Sequence, residues 1–227
     1  MAGHIDCYMD LLSLYSFLAF EYLLRRRDVL ATHGVSIDFH PFFLGGIMKN
    51  AGNKPPWTVP AKKDYAHAFE DKRAKQYFGV PDLMNPPVFP ILTLLPLRAL
   101  CYIKATFPQS TSEQAWLAFF RAYWIPPHAN IDDPDTVRDV LRDTKLFSDA
   151  EVDAICAAAQ EKQWKDVLLE NTTKVVEQGA FGAPWMWVRD ASGKEEPFFG
   201  SDRFHFVWQY LGLPWKDMEL LPREAKL

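Results

Sequence analysis

Cysteine and long apolar segments are both scarce in this sequence. Its 227 residues include three cysteines, Cys7, Cys101 and Cys156. Their odd number and wide spacing match neither a disulfide framework nor a cysteine-based zinc site, which favours a reducing compartment. Every apolar run is interrupted by charge or by proline, and no basic region followed by an apolar one opens the chain. We therefore expect neither a membrane span nor a secretory signal.

An excess of basic residues is also lacking. The formal net charge is −4, and the only basic run is Arg25 to Arg27. The sequence therefore shows no electrostatic footprint for nucleic acid. Apolar and aromatic side chains, by contrast, make up 48% and 15% of the residues. That content suffices for the core of one domain with a large insertion.

The first forty residues predict a βαβ unit. Ile5 to Tyr8 is typical of a short buried strand, and apolar residues follow Ser13 at helical spacing. Val35 to Phe39 alternates between apolar and polar residues, which predicts a second strand. A connection of this kind favours a parallel strand pair.

Residues 45–160 carry helix signals and almost no strand signal. Ser110 with Glu113, and Ser148 with Glu151, have the spacing of a capping box. An aromatic stripe behind the first of these caps is typical of packed core rather than of a cofactor site. It consists of Trp116, Phe119, Phe120 and Tyr123.

The end of the chain returns to alternating strands and helices. A helix that stops at Gly179 precedes a strand from Trp185 to Val188, an edge strand from Pro197 to Phe199 and a final helix from Ser201 to Leu211. The whole order predicts an α/β fold, a thioredoxin-like domain interrupted by an all-helical insertion. The predicted boundaries are 1–44 and 161–227 for the thioredoxin-like domain and 45–160 for the inserted helical subdomain.

In a thioredoxin-like fold the chemistry lies where the first strand ends and the next helix begins, because that helix end presents unpaired N–H groups. Redox members carry Cys-x-x-Cys there, whereas this chain has Ser13 to Ser16, SLYS. Serine cannot cycle between thiol and disulfide. Ser13 can serve as a helix N-cap, and it can also donate a hydrogen bond to a bound thiolate. Such a bond is worth on the order of 1.5–3 kcal/mol, or about one to two pKa units.

Two further segments suggest a peptide-like ligand. Gly179 to Pro184 suits a sharp turn with a cis peptide bond, which would let the Ala183 backbone pair with a ligand opposite Ser13. An ordinary connection between helix and strand is the alternative. In the second segment, Ser201 and the amides of the last helix could hold a carboxylate while Asp202 accepts from an ammonium group. A plain cap or dipole partner is the alternative there.

Four segments resemble the kappa-class glutathione transferases, in the family's order and over nearly the whole chain. Gly46 to Pro56, GIMKNAGNKPP, is the most specific of them. The others are Asp10 to Ser16, DLLSLYS; Gly179 to Pro184, GAFGAP; and Phe199 to Arg203, FGSDR. The resemblance implies a homodimer with one glutathione site per subunit, glutathione as co-substrate, and a chemistry that needs no metal.

The resemblance also assigns residues, position by position. It places Ser13 against the glutathione sulfur as the catalytic group, Lys62 at the glycyl carboxylate and the Ala183 backbone at the cysteinyl backbone. The residues that it implies for glutathione binding are Leu14, Tyr15, Asn53, Lys62, Ala183, Ser201 and Asp202. Leu14 departs from the family's usual proline, which frees an N–H at the helix start.

The implied activity is transfer of glutathione to a hydrophobic electrophile, in a detoxifying role. Hydroxychromene-carboxylate isomerases are also similar, so a glutathione-dependent isomerase is one alternative. Glutathione-dependent peroxidase activity is another, and a non-catalytic thioredoxin-like binding module is a third. Trp185 and Trp187 share one side of a strand and either form a flat wall of the substrate site or pack beneath the inserted helices.

The C-terminal tripeptide, Ala225 to Leu227, resembles the Ser-Lys-Leu peroxisomal address. It predicts a peroxisomal protein and an encounter with the import receptor, with cytoplasm or mitochondrion as the alternatives.

Overall fold

A computed structural model describes residues 3–216, and a four-stranded sheet lies at its centre. The strands are β1 (His4–Met9), β2 (Ser36–Pro41), β3 (Trp185–Arg189) and β4 (Glu195–Phe199), in the order β2-β1-β3-β4. The predicted parallel pair of β1 and β2 is confirmed, while β3 runs antiparallel to both β1 and β4. The α/β thioredoxin-like class is confirmed, and β4 is an edge strand as predicted.

Helices fill most of the chain between β2 and β3. Within residues 3–216, none of the helices combines the length and apolarity needed to cross a bilayer. The α-helices are α1 (Leu14–Leu24), α2 (Arg27–Thr32), α3 (Leu44–Asn50), α4 (Pro60–Tyr65), α5 (Asp71–Tyr77), α6 (Leu94–Thr106), α7 (Gln109–Trp124), α8 (Pro134–Asp143), α9 (Asp149–Ala158), α10 (Lys162–Glu177) and α11 (Phe204–Tyr210). A 3₁₀ turn at Pro56–Thr58 precedes α4, and a π-helical turn at Ala66–Glu70 joins α4 to α5.

Of the two predicted capping boxes, one is confirmed and one is wrong. The Ser148 side chain and Glu151 bond reciprocally at the start of α9. Helix α7 instead begins at Gln109 behind Pro108, before the predicted cap. Glu113 is buried against α2 and forms an ion pair with Arg27, which satisfies its charge better than a backbone N–H would.

The final helix is also shorter than predicted. It begins at Phe204, with Arg203 at its N-cap, and ends at Tyr210. Gly200 has a φ of +92°, and the bend that follows it holds Ser201 and Asp202 outside the helix. A left-handed glycine of this kind turns the chain sharply, so the helix cannot start at Ser201.

One hydrophobic core joins the sheet to the inserted helices. Phe17 of α1 stacks on Phe120 of α7, with ring centroids 4.8 Å apart. The predicted aromatic stripe is confirmed as core, since its four side chains are at most 1% exposed. The helices of 45–160 thus share their core with α1 and β1, and the two-part domain boundary stays a prediction.

Candidate functional site

Ser13 lies at the junction of β1 and α1 and is the N-cap of α1. Its backbone is extended, with φ −92° and ψ 114°, and its hydroxyl oxygen accepts a 3.1 Å hydrogen bond from the Ser16 N–H. That bond satisfies one of the four N–H groups that a helix start leaves unpaired. The prediction that Ser13 begins this helix is confirmed.

The hydrogen of the same hydroxyl is only weakly engaged. Ser13 Oγ donates to the Ala183 carbonyl oxygen over 3.4 Å. Hydrogen bonds between two oxygens are ordinarily 2.5–3.0 Å long, so this one exchanges at low cost for a better acceptor. A thiolate is such an acceptor, because charge-assisted bonds are roughly twice as strong as neutral ones. Capping α1 and donating to a ligand are therefore compatible roles for one side chain.

The turn opposite Ser13 has the predicted form. The Ala183–Pro184 peptide bond is cis, and Gly179 adopts a φ of +88° after α10. At Gly182, an added Cβ would lie 2.8 Å from the Phe199 ring. Glycine is therefore needed where the turn packs closely against β4.

A cavity of about 700 Å³ opens beside this turn. The volume lies in the range of roughly 300–1,000 Å³ that is common for small-molecule sites. Most of its wall is aromatic, and charged groups are grouped at its edge. The aromatic lining consists of Tyr15, Tyr22, Tyr65, Tyr77, Phe78, Phe199, Phe204, Trp208 and Trp215. The charged lining consists of Glu70, Arg73, Asp202, Arg203 and Lys216.

The structure brings together five of the eight residues suggested for the site. Tyr15, Ala183, Ser201 and Asp202 line the cavity, and Ser13 adjoins it through its bond to Ala183. The cavity gives the positions of these residues, and their roles in binding a ligand stay a prediction.

The other three residues lie elsewhere. Leu14 is buried in the first turn of α1 and packs in the core. Lys62 is exposed on α4, three residues before Tyr65, and does not line the cavity. Asn53 donates a 2.7 Å hydrogen bond from Nδ2 to the Phe181 carbonyl. That bond ties the GNKPP loop to the turn at Ala183.

The Ser201 to Arg203 segment forms the mouth of the cavity. Ser201 is buried and Asp202 is exposed, with Asp202 Oδ1 at 3.6 Å from Arg203 Nη1. Arg203 also donates a 2.9 Å bond to the Phe199 carbonyl, which fixes the bend. Because α11 starts only at Phe204, its amides lie beyond this bend. The predicted carboxylate site consisted of Ser201, Asp202 and the amides of the last helix. Of these, Ser201 and Asp202 line the cavity.

Comparisons with known proteins agree with this geometry. Residues 4–212 match the model of a family described as "DSBA-like thioredoxin domain". Glutathione S-transferase kappa 1 of Caenorhabditis elegans is 32% identical over 92% of this chain and 91% of its own length. Glutathione S-transferase kappa 2 of the same organism is 30% identical over 93% of each chain. This chain belongs to the kappa-class glutathione transferase family.

A solved structure shows the same fold. A 2-hydroxychromene-2-carboxylate isomerase superposes on this kappa-class chain with a TM-score of 0.72 at 20% identity, covering 92% of this chain and 94% of the isomerase. At that identity the likeness bears on the fold alone.

The cysteines of this kappa-class chain are poorly suited to thiol chemistry. Burial raises the pKa of Cys101 to about 12, and burial together with the neighbouring Asp6 raises the pKa of Cys7 further. Partial burial also raises the pKa of Cys156. Thiolates are the reactive form, so these three cysteines are mostly in the unreactive thiol form at neutral pH.

Tyr15, by contrast, is suited to donate a hydrogen bond. Burial, and then the charges of Glu70, Asp71 and Asp202, raise the pKa of its phenol above the ordinary value. The phenol stays protonated at neutral pH, and its side chain faces the cavity.

Of the two alternatives for Trp185 and Trp187, the one that makes them a wall of the substrate cavity is wrong. Trp185 and Trp187 do lie opposite Met186, but on the sheet face covered by α3 and α10. Trp185 packs there with Ile47 and Val175. Neither indole lines the cavity, so the alternative of packing beneath helices is the one that holds.

The aromatic wall supplied by α4 and α5 was missed from the sequence. Tyr65 and Phe69 stack with centroids 5.9 Å apart, and the Arg73 guanidinium lies 5.7 Å from the Phe69 ring centroid. Their spacing of four residues along one helical stripe is a usable signal. Which element that stripe would face depends on tertiary packing.

Proposed function

We propose that this protein activates the thiol of glutathione and transfers the tripeptide to an apolar electrophile. The observation that carries the proposal is the position of the Ser13 hydroxyl. It lies at the start of α1, opposite the Ala183 turn and beside a cavity with an aromatic wall.

The activation step is a pKa effect. A free thiol of pKa ~8.5 is only a few per cent ionised at neutral pH. A hydrogen bond from Ser13, together with the partial positive charge of the helix start, lowers that pKa by about one to two units. With a shift of about two units, most of the bound thiol is thiolate and can attack an electrophile held against it.

In this proposal the far end of glutathione lies against Ser201 and Asp202, which line the cavity. Asp202 accepts from the γ-glutamyl ammonium group, and Ser201 donates to its carboxylate. Asn53 braces the loop beside the turn and so shapes the site from outside the cavity lining. Lys62 reaches the glycyl carboxylate only if its exposed side chain folds over the mouth.

The electrophile is proposed to be flat and aromatic. Tyr15 and Tyr65 present aromatic side chains to the cavity, whereas the Tyr22 and Phe204 rings lie 4.2 Å apart and stack on each other. Offset stacking on such faces adds about 0.5–1.5 kcal/mol beyond the burial of area. Detoxification is a role in keeping with such a loosely specified site.

Isomerisation is the second candidate, because a 2-hydroxychromene-2-carboxylate isomerase shares the fold. The deciding experiment compares purified protein on three reactions: conjugation of a chloronitrobenzene, isomerisation of a hydroxychromene carboxylate, and reduction of an organic hydroperoxide by glutathione. Conjugation as the fastest reaction supports the proposal. Fast isomerisation or fast peroxide reduction, with negligible conjugation, would contradict the transferase proposal and support the faster reaction as the activity. Lack of all three, with no thermal stabilisation by millimolar glutathione, supports the non-catalytic binding module.

We further propose a peroxisomal homodimer with one glutathione site per subunit. The tripeptide Ala225 to Leu227, on which localisation rests, lies outside the described residues. Sedimentation equilibrium tests the dimer, since a species of twice 26.1 kDa is expected.

A further inference from the structure

A group of histidine and aspartate side chains lies at the other end of the sheet from Ser13. β1 contributes His4 and Asp6, and β2 contributes Asp38 and His40. Asp6 is directly opposite Asp38 in the parallel register. Residues two apart on a strand share a face, so the four side chains lie together. All four are partly open to solvent.

The arrangement places two carboxylates side by side. Like charges directly opposite on paired strands are unfavourable. His40 Nε2 lies between the carboxylates, 2.6 Å from Asp6 Oδ1 and 3.6 Å from Asp38 Oδ2, and Lys104 pairs with the other oxygen of Asp38. The histidine nitrogen and the two carboxylates therefore lie together at one place on the sheet.

We propose that these two strands bind a divalent transition-metal ion of the zinc type, with Asp6, Asp38 and His40 as ligands and His4 as the fourth. The ligand atoms of the first three lie within 4.8 Å of one another, and His4 Nε2 is 3.2 Å from Asp6 Oδ1. Tetrahedral zinc, with bonds of about 2.1 Å, holds its ligand atoms ~3.4 Å apart. Two imidazoles with two carboxylates suit this class of ion better than calcium or magnesium.

Two neighbouring features support the site. Ser36 Oγ lies 2.7 Å from His4 Nδ1, which turns Nε2 of the same ring toward Asp6. Outer hydrogen bonds of this kind orient metal-binding histidines. A depression of about 450 Å³ has His4 and Asp38 in its wall and opens these two side chains to solvent, while Asp6 and His40 lie outside its lining. A bound ion would fasten the edge strand β2 to β1 and lies apart from the thiol chemistry.

Calorimetric titration of the full chain with Zn²⁺ and with Co²⁺, in buffer free of thiols, tests the proposal. We expect one ion per chain with micromolar affinity, a higher Tm with metal, and the visible absorption of four-coordinate Co²⁺. Asp6→Asn and His40→Gln should abolish binding. Ser36→Ala should weaken it by about 10–100-fold. Lys104→Gln should strengthen it, because it removes a competing cation.

Matched controls are Asp139→Asn in α8 and His67→Gln in the π-helical turn, two exposed residues outside the cluster, which should leave the affinity unchanged. No binding of either metal by the wild-type chain overturns the proposal. Binding that survives both Asp6→Asn and His40→Gln also overturns it, since the ion then sits elsewhere. Ser36→Ala keeps the test decisive if a ligand variant fails to fold, because unchanged affinity in that variant contradicts the assigned role of His4.

Discussion

At the scale of single residues, the Ser13 hydroxyl makes two contacts, and we propose a separate role for each. Its oxygen accepts from the Ser16 N–H, while its hydrogen makes only the 3.4 Å contact with Ala183. The helix cap and the proposed hydrogen bond to the thiolate therefore use different parts of the hydroxyl. A variant that removes the hydroxyl should lose both interactions, and each loss is measured in a different experiment.

Ser13→Ala is expected to raise the pKa of bound glutathione by about one to two units and to cut turnover near neutral pH. The sign follows because the hydroxyl stabilises the charged thiolate, so its loss favours the protonated thiol. Loss of the cap should also cost about 1 kcal/mol in the free energy of unfolding. Thiolate absorbance against pH measures the first effect, and urea denaturation measures the second.

Ser16→Ala is the matched control for this prediction. The Ser16 hydroxyl is buried with no hydrogen-bond partner among the described residues, and its backbone N–H is unaffected by the substitution. The thiol pKa should therefore stay at the wild-type value. If Ser13→Ala leaves the titration midpoint unchanged as well, Ser13 is a helix cap only.

Asp202→Ala is expected to behave differently, because the carboxylate lies at the mouth of the cavity and away from the sulfur. Contacts to a remote part of a substrate strengthen ground-state binding. Glutathione affinity should therefore fall more than turnover at saturation. Steady-state kinetics checks this, with Asp202→Asn separating charge from shape. A collapse of kcat at constant glutathione affinity would contradict the γ-glutamyl assignment.

At the scale of structural elements, the buried carboxylate of Asp10 joins three segments around the site. It accepts hydrogen bonds from the Leu12 N–H at 2.9 Å, the Leu44 N–H at 2.8 Å and the Thr93 hydroxyl at 2.6 Å. The first lies in the loop before Ser13, the second begins α3 and the third precedes α6. Burial raises the pKa of Asp10 above its ordinary value despite these bonds.

Thr93→Val should lower the free energy of unfolding at neutral pH by about 1.5–3 kcal/mol, since it removes a bond to a charged group. A raised pKa means that the folded chain binds this proton more readily, so the associated stability is present at acid pH and lost as pH rises. The deficit of the variant should therefore shrink as the pH falls through this raised pKa, because the protonated carboxyl no longer accepts a charge-assisted bond. Urea denaturation at neutral and at acid pH measures it, with Thr93→Ser as the hydroxyl-retaining control. An equal deficit at both would argue against the carboxylate bond.

Helices α4 and α5 present the other element-scale feature, an aromatic wall on the cavity. Tyr65→Ala is expected to raise the KM for an aromatic electrophile about fivefold, in keeping with loss of roughly 1 kcal/mol of stacking. Glutathione affinity should not change. Phe206→Ala, an exposed aromatic residue outside the cavity lining, is the matched control. A change in glutathione affinity alone would reassign this wall to the co-substrate.

At the scale of the whole molecule, we propose that the C-terminal tripeptide directs the protein to peroxisomes. A fluorescent protein fused upstream of the intact chain should collect in peroxisomes, because Ala225 to Leu227 then ends the polypeptide freely. Removing the tripeptide should give diffuse fluorescence. Diffuse fluorescence with the tripeptide intact would remove the peroxisomal assignment and leave cytoplasm or mitochondrion.

Interactions between residues close in sequence were sufficient to predict many features of this protein. The β1 and β2 pair, the Ser13 cap and the glycine at 179 all depend on residues near in sequence, and periodicity and cap chemistry reveal such features. The segments DLLSLYS and GIMKNAGNKPP were specific enough to indicate the family before any fold was known.

Long-range packing decided the rest. Glu113 forms an ion pair with Arg27 instead of capping a helix. Trp185 packs against α10 instead of lining the cavity. The cavity likewise joins Tyr65 of α4 to Phe204 of α11, which are distant in sequence. A side chain's partner across such a distance is set by how helices and strands pack on one another, and no local pattern carries that information.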